Sequence, residues 1–350
     1  MGGPMSSLTD WPENLKGVID WFLRVGGKDK ESNGDDKKDK LKDAVKTLDG
    51  FDASSISLKS ADSIQGLFNY VAGGLQLFIG YDNNGTQELT GDGIAAKSGY
   101  TSSYGDQAQW SGDSKNTQTS AHIFLGSMPI LYFGLTYTYW KCSKNQSGHW
   151  GQYSLNGGGR SPLYLFMVNM GFGTNELQDI TGSEVAERLK RNPIYGFDEL
   201  KNAKTEQHSY SKFLTAIDEK HGKSTLTSNP TDCALYALHR ASRAYLQSKF
   251  QSDESDQNLR GIKEKLLKFK QETKNYDDLE TEVDAFLREI NVFLSSSSHS
   301  GGMSAADQTS PAGPVAGTLA TFGLGGGAAA AYVFNIGGAK TIVNGLLRIG

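Results

Sequence analysis

The sequence predicts a mainly α-helical fold: a helical ectodomain with long polar loops, a helical hairpin or short coiled coil, a Ser/Gly-rich stalk and one C-terminal transmembrane helix. Three observations carry this reading. Apolar residues recur at steps of three and four along much of the chain, the period of one face of a helix. Gly-, Ser- and Asp-rich stretches interrupt those periods. Val315 to Ala339 holds no charged residue, and at about 1.5 Å per residue a helix of that length spans roughly 37 Å, more than the ~30 Å hydrocarbon core of a bilayer.

The first helix takes Thr9 or Asp10 as cap, Pro12 in its first turn and Gly26-Gly27 as its end. Trp11, Leu15, Val18, Ile19, Phe22 and Leu23 share one face, as a core-packing helix requires. Lys28 to Lys40 reads as a charged, solvated linker, and Leu41 to Leu48 as a short helix. A longer helix follows over Asp62 to Ile79, with Ile64, Leu67, Phe68, Val71, Leu75 and Phe78 inward, closed by turn residues Asp82 to Gly85. Residues 85–120 form a polar loop without sustained period. Its Tyr100, Tyr104 and Trp110 either anchor a partner or tuck back onto the body.

Asn116 to Trp140 is a second charge-free stretch. His122, Pro129 and several Thr and Tyr suit a buried helix better than a lipid-exposed one, although Thr136 to Trp140 also has strand propensity. Beyond the break at Gly157-Gly158-Gly159, Leu163 to Met170 reads as a buried helix. Thr181 and Glu184 have capping-box spacing ahead of Val185, Ala186 and Leu189. Amphipathic helices follow over Phe213 to Lys220 and Asp232 to Phe250, completing a body over 1–250.

Residues 251–294 have the cleanest period. Leu259, Ile262, Leu266 and Phe269 lead to an interruption at Asn275-Tyr276-Asp277-Asp278, and Leu279, Val283, Phe286 and Ile290 resume it. The pattern fits a helical hairpin, or a coiled coil with a stammer. The Ser/Gly/Pro-rich 295–314 reads as a flexible stalk, 315–339 as the transmembrane helix and 340–350 as a short tail. The terminal run holds more Gly and Ala than an oily span, which leaves a buried core helix or a flexible tail as its other readings. Within it Gly323 and Gly327 form a small-xxx-small pair that suits helix packing in lipid. Lys340 and Arg348 place the tail in the cytosol by the positive-inside bias. Asp10, Glu13, Lys16, Asp20 and Arg24 interrupt any secretory apolar core near the N-terminus. A tail-anchored scaffold with its bulk in the cytosol is therefore the alternative topology.

Composition narrows the chemistry. Over 350 residues, 35 Lys+Arg oppose 39 Asp+Glu for a net charge of −4, so no basic surplus points to nucleic acid. The expected set of catalytic, cofactor-binding and metal-binding residues is empty. No histidine stands in HExxH spacing and no G-x-S-x-G elbow is present. Gly222-Lys223-Ser224 lacks the upstream glycine of a phosphate loop, since that position is Ile217. The run Gly323 to Ala328 fits G-x-G-x-x-G/A, but no Asp or Glu follows it to bind a ribose. Cys142 and Cys233 are a disulfide if the body is extracellular and free thiols if it is cytosolic; with His149 and His239 they match no common zinc spacing. Asn84 and Asn145 open N-x-S/T sequons, acceptors only in a glycosylating lumen.

Two stretches carry a family resemblance. The run from Leu8-Thr9-Asp10-Trp11-Pro12 to Trp21-Phe22-Leu23-Arg24-Val25 is one. The run from Thr321 through Gly325-Gly326-Gly327 to Ala339-Lys340-Thr341-Ile342-Val343 and Gly350 is the other and the more specific. Together they resemble the variant erythrocyte surface antigen-1 family of Babesia parasites; Tyr139 to Cys142 and Ala234 to Leu238 are a weaker likeness. The resemblance implies a single-span, polymorphic antigen on the infected red cell, without catalysis. It implies membrane lipid, a second antigen subunit in a heterodimer and a host endothelial receptor as partners. This chain departs from the family in being short and cysteine-poor, lacking the Cys/Lys-rich region of large members.

Overall fold

The charge-free segment predicted as a buried helix is α4, Ser114–Cys142, and the rest of the body is built around it. In this computed structural model the described residues are 4–29, 36–48, 51, 61–82, 88–110, 114–157, 160–197, 209–222, 230–252, 256–292, 330–336 and 339–345. They fall in two units, divided between Ser295 and Ser296.

The first unit is mainly helical. Before α4 come α1 (Leu15–Val25), α2 (Asp36–Thr47) and α3 (Ala61–Ile79). After it come α5 (Pro162–Asn169), α6 (Gly182–Lys190), α7 (Tyr210–Gly222), α8 (Ala234–Ser252), α9 (Gln257–Glu272) and α10 (Asp277–Glu289). Helix α4 packs against α1, α2, α6, α7, α8, α9 and α10. Every residue from Ser120 to Thr138 is buried, so α4 has no polar face, the pattern of a helix enclosed by protein. Thr136 to Trp140, with strand propensity, is helix here. Tertiary enclosure outweighs local preference, and the Thr136 hydroxyl satisfies itself on the Tyr132 carbonyl at 2.6 Å. Among the described residues no helix is long and apolar enough to cross a membrane.

Two glycines set how closely neighbours approach α4. A Cβ on Gly126 would lie 2.8 Å from Ile262 Cγ1, and one on Gly134 would lie 2.7 Å from Leu15 Cδ2. Pro129, inside the helix, has no N–H to give the Leu125 carbonyl. That carbonyl is buried, and the Ser242 hydroxyl of α8 donates to it instead. The defect in α4 is thereby repaired by its neighbour.

Helix α1 is buried along its whole length, although Lys16, Asp20 and Arg24 recur on it at four-residue steps. Its cap is Asn14, whose side chain accepts from Gly17 N at 3.0 Å, rather than Thr9 or Asp10. Asp10 is occupied by the amides of Ser6 and Ser7, so Trp11 and Pro12 precede the helix. The charged stripe faces the stretch predicted as a polar loop, which here tucks back onto the body. Lys16 Nζ lies 3.1 Å from Asp20 Oδ2 and donates to the Thr101 carbonyl at 2.5 Å. Asp20 also accepts from Tyr100 Oη (2.5 Å) and from Ser103 N (2.7 Å). Arg24 pairs with Asp29 at 2.5 Å and caps the Gly105 carbonyl at 2.8 Å. Residues 88–110 are thus bound to the body. Within them β2 (Tyr104–Gln109) pairs in parallel with β1 (Met5–Ser7), and Tyr104 and Trp110 are buried.

The region predicted as a hairpin or coiled coil is a hairpin. Thr273–Tyr276 separates α9 from α10, and both belong to the same unit as the helices before them. The second unit contains β3 (Ala330–Ile336) and β4 (Ala339–Gly345), antiparallel with Ile336 opposite Ala339. Of the predicted transmembrane helix 315–339 and tail 340–350 only 330–336 and 339–345 are described, and there the backbone is strand rather than helix. Tyr332, Val333, Phe334, Thr341, Ile342 and Val343 favour extended backbone. The rest of 315–329, including Gly323 and Gly327, and the stalk 295–314 lie outside the described residues.

Two predictions follow from these interactions. Ser242→Ala leaves the Leu125 carbonyl buried and unpaired, and urea denaturation should show a loss of about 1–3 kcal/mol. In a Pro129→Ala background, where a backbone N–H is restored, the same change should cost less. Asp20→Asn removes one of the two carboxylates facing Lys16, leaving Glu176 at 3.5 Å, and should cost about 1–3 kcal/mol, whereas Lys46→Ala, which breaks an exposed pair with Asp43, should cost under about 1 kcal/mol.

Candidate functional site

Among the described residues, α4, α7, α8 and α10 enclose a cleft of about 210 Å³. Its floor comes from α4 and α10. Tyr132 and Phe133 are adjacent on the buried helix, and Phe286 of α10 meets Phe133 edge-on at 5.6 Å between centroids. Helix α8 supplies Tyr236, His239, Arg240 and Arg243, whose steps of three and four put them on one face. Helix α7 adds Leu214, Thr215 and Asp218, and α10 adds Glu282 and Glu289.

Two pairs inside the cleft are closed. The Arg243 guanidinium donates to both oxygens of Glu289, at 2.7 and 2.5 Å, a bidentate geometry that fixes α8 against α10. Tyr236 Oη donates to Asp218 Oδ1 at 2.5 Å, joining α8 to α7. Burial, with that hydrogen bond, raises the Tyr236 hydroxyl above its usual range and keeps it a donor.

His239 lies at the centre of the floor. Its ring stacks on Tyr132 at 4.1 Å with an interplanar angle of 7°, and it is 4% exposed. Burial, reinforced by the Arg243 charge, pushes its pKa down to about 3. The imidazole is therefore neutral at physiological pH, and its Nδ1 has no hydrogen-bond partner among the described residues. A neutral ring with one unmatched nitrogen beside paired and unpaired charges can receive a hydrogen bond; it is not a charged anchor.

The structure scatters the residues singled out in the sequence. Cys142 closes α4, Cys233 sits in the 3-10 turn Pro230–Cys233 before α8, and both are buried free thiols. The disulfide between them is not formed. Burial raises the Cys142 thiol above its ordinary range, which suppresses the thiolate that exchange requires. Asn145 is exposed, and its side-chain oxygen accepts from Ser183 Oγ at 3.0 Å. Asn84 lies outside the described residues. Among the described residues no group of three or more His, Cys, Asp or Glu is placed to hold a metal ion. Sequence reasoning missed the cleft. Its available signal was the mixed-polarity face Tyr236, His239, Arg240, Arg243 on an amphipathic helix.

The His239 geometry sets a pH dependence. A histidine whose folded pKa lies below its unfolded value near 6.5 contributes stability that is present above pH 6.5 and lost as pH falls toward the folded pKa. Burial lowers His122 and His149 in the same direction. The urea midpoint of the full chain should therefore fall between pH 7 and pH 4. His239→Phe, which preserves a ring over Tyr132, should flatten part of that fall.

No protein-family model, no curated protein and no solved structure matches this chain.

Proposed function

We propose that the chain is a membrane-anchored surface antigen of the infected erythrocyte, a display and contact protein that performs no catalysis. The observation that carries this reading is the charge-free run Val315 to Ala339 behind the Ser/Gly/Pro-rich 295–314, downstream of a helical unit with its own core. The resemblance of both ends to the Babesia antigens supports it and supplies the expected partners: lipid, a second antigen subunit and a host endothelial receptor.

The reading requires the anchor to be helical in lipid. A two-stranded hairpin cannot satisfy its outer backbone groups in hydrocarbon, whereas a helix satisfies all of them internally. Strands β3 and β4 would have to be exchanged for helix on insertion. An isolated hairpin is only marginally stable in water, so this exchange gives up little. The helical body remains outside the bilayer, its buried charges Lys16, Asp20 and Arg24 already paired within it.

Carbonate washing of membranes from cells expressing the full chain tests the anchor, and protease applied to intact cells tests display. The expected result is retention in the pellet, with loss of an epitope in the helical body and survival of one after residue 340. Release of the intact chain into the carbonate supernatant overturns the anchor. Protection of both epitopes overturns surface display and favours the tail-anchored scaffold.

A further inference from the structure

We infer that the cleft between α4, α7, α8 and α10 is a binding site for a small zwitterion, a free α-amino acid with an apolar side chain. This inference is independent of the membrane reading.

The argument starts from the charges that remain after internal pairing. Arg243 is bound to Glu289 through two hydrogen bonds, and Asp218 holds the Tyr236 hydroxyl. Glu282 and Arg240 also line the cleft, and neither has an ion-pair partner among the described residues. Arg240 only leans over the Tyr236 ring, with its guanidinium carbon 5.9 Å from the centroid. One unpaired acid and one unpaired base therefore face one cavity without bridging each other. A ligand carrying both charges completes both residues at once, its ammonium on Glu282 and its carboxylate on Arg240. A ligand of single charge leaves one of them unmatched.

Size and floor select within that class. About 210 Å³ is smaller than the ~300–1,000 Å³ typical of drug-sized ligand pockets. Leu214, Phe286 and the Tyr132–His239 stack present apolar surface to a side chain. His239, stacked on Tyr132, forms part of that floor. Burying a polar ligand here is compensated at its two charged ends, by Glu282 and Arg240.

Calorimetric titration of the full chain with L-leucine tests the site, with leucinamide and N-acetyl-L-leucine as single-charge analogues. L-leucine should bind and shift the ring nitrogen resonances of His239. Each analogue, and each of Arg240→Met and Glu282→Gln with L-leucine, should bind at least about tenfold more weakly, as loss of one charge-assisted hydrogen bond implies. The inference is overturned if L-leucine gives neither heat nor a His239 shift at millimolar concentration. It is also overturned if either analogue binds as tightly as L-leucine, which would indicate a peptide end or a simple ion. Wild-type affinity in a folded variant likewise overturns it. If a substitution unfolds the chain, the analogue comparison on the unaltered protein still decides.

Discussion

The complete enclosure of α4 is the constraint from which the rest of the body follows. A helix buried from Ser120 to Thr138 cannot send its polar groups to water, so most are paired inside, and only the Ser120 hydroxyl of this stretch has no partner among the described residues. Thr136 and Thr138 turn back onto their own helix, at 2.6 and 2.7 Å from the Tyr132 and Gly134 carbonyls. The Leu125 carbonyl, deprived of a donor by Pro129, takes the Ser242 hydroxyl. Gly126 and Gly134 remove the side chains that would hold α9 and Leu15 away. The surrounding helices are therefore positioned by specific notches and donors as well as by apolar area.

The cleft inherits its rigidity from that arrangement. Tyr132 and Phe133 cannot move without disturbing the centre of the protein, and His239 lies flat on the first and edge-on to the second, at 4.1 and 5.5 Å. The Arg243–Glu289 and Tyr236–Asp218 pairs then fasten the three outer helices together around the same point. The floor is aromatic and the rim is charged. That combination drives His239 neutral. A second aromatic centre lies at the end of α4, where Lys141 Nζ stands 4.7 Å from the Trp140 ring and 5.7 Å from Trp150 while donating to the Gly148 carbonyl at 3.1 Å. There the internal lysine already occupies the ring faces.

Local grammar made most of the helices readable. The capping box at Thr181 and Glu184 appears as its spacing implies, with Thr181 N donating to Glu184 Oε2 at 2.7 Å. The break near Asn275 separates α9 from α10 because the apolar period itself skips there. The α1 cap was misassigned because several side chains upstream can cap, and only tertiary contacts commit Asp10 elsewhere. Strand β2 contains Gly105, Asp106 and Gln107, poor strand formers, and is extended because it lies between β1 and the charged stripe of α1. The cleft was opaque for a similar reason: pairing Arg243 with Glu289 depends on how α8 meets α10, and no spacing in the sequence encodes that angle. At the C-terminus the charge-free run reads as a lipid-packing helix, a buried core helix or a flexible tail, whereas the described residues 330–336 and 339–345, rich in aromatic and β-branched side chains, are paired strands.

The N-terminal segment is held by parts of the chain made much later. Trp11 lies against Gly126 and Gly261, and Glu13 pairs with Lys265 and Lys268. During synthesis at about 5–20 residues per second, those partners emerge on the order of tens of seconds after α1. Through that interval α1 carries an unclosed apolar surface and three charges awaiting burial. Until α9 emerges, Trp11 and Glu13 stand without the partners that hold the N-terminal segment in place.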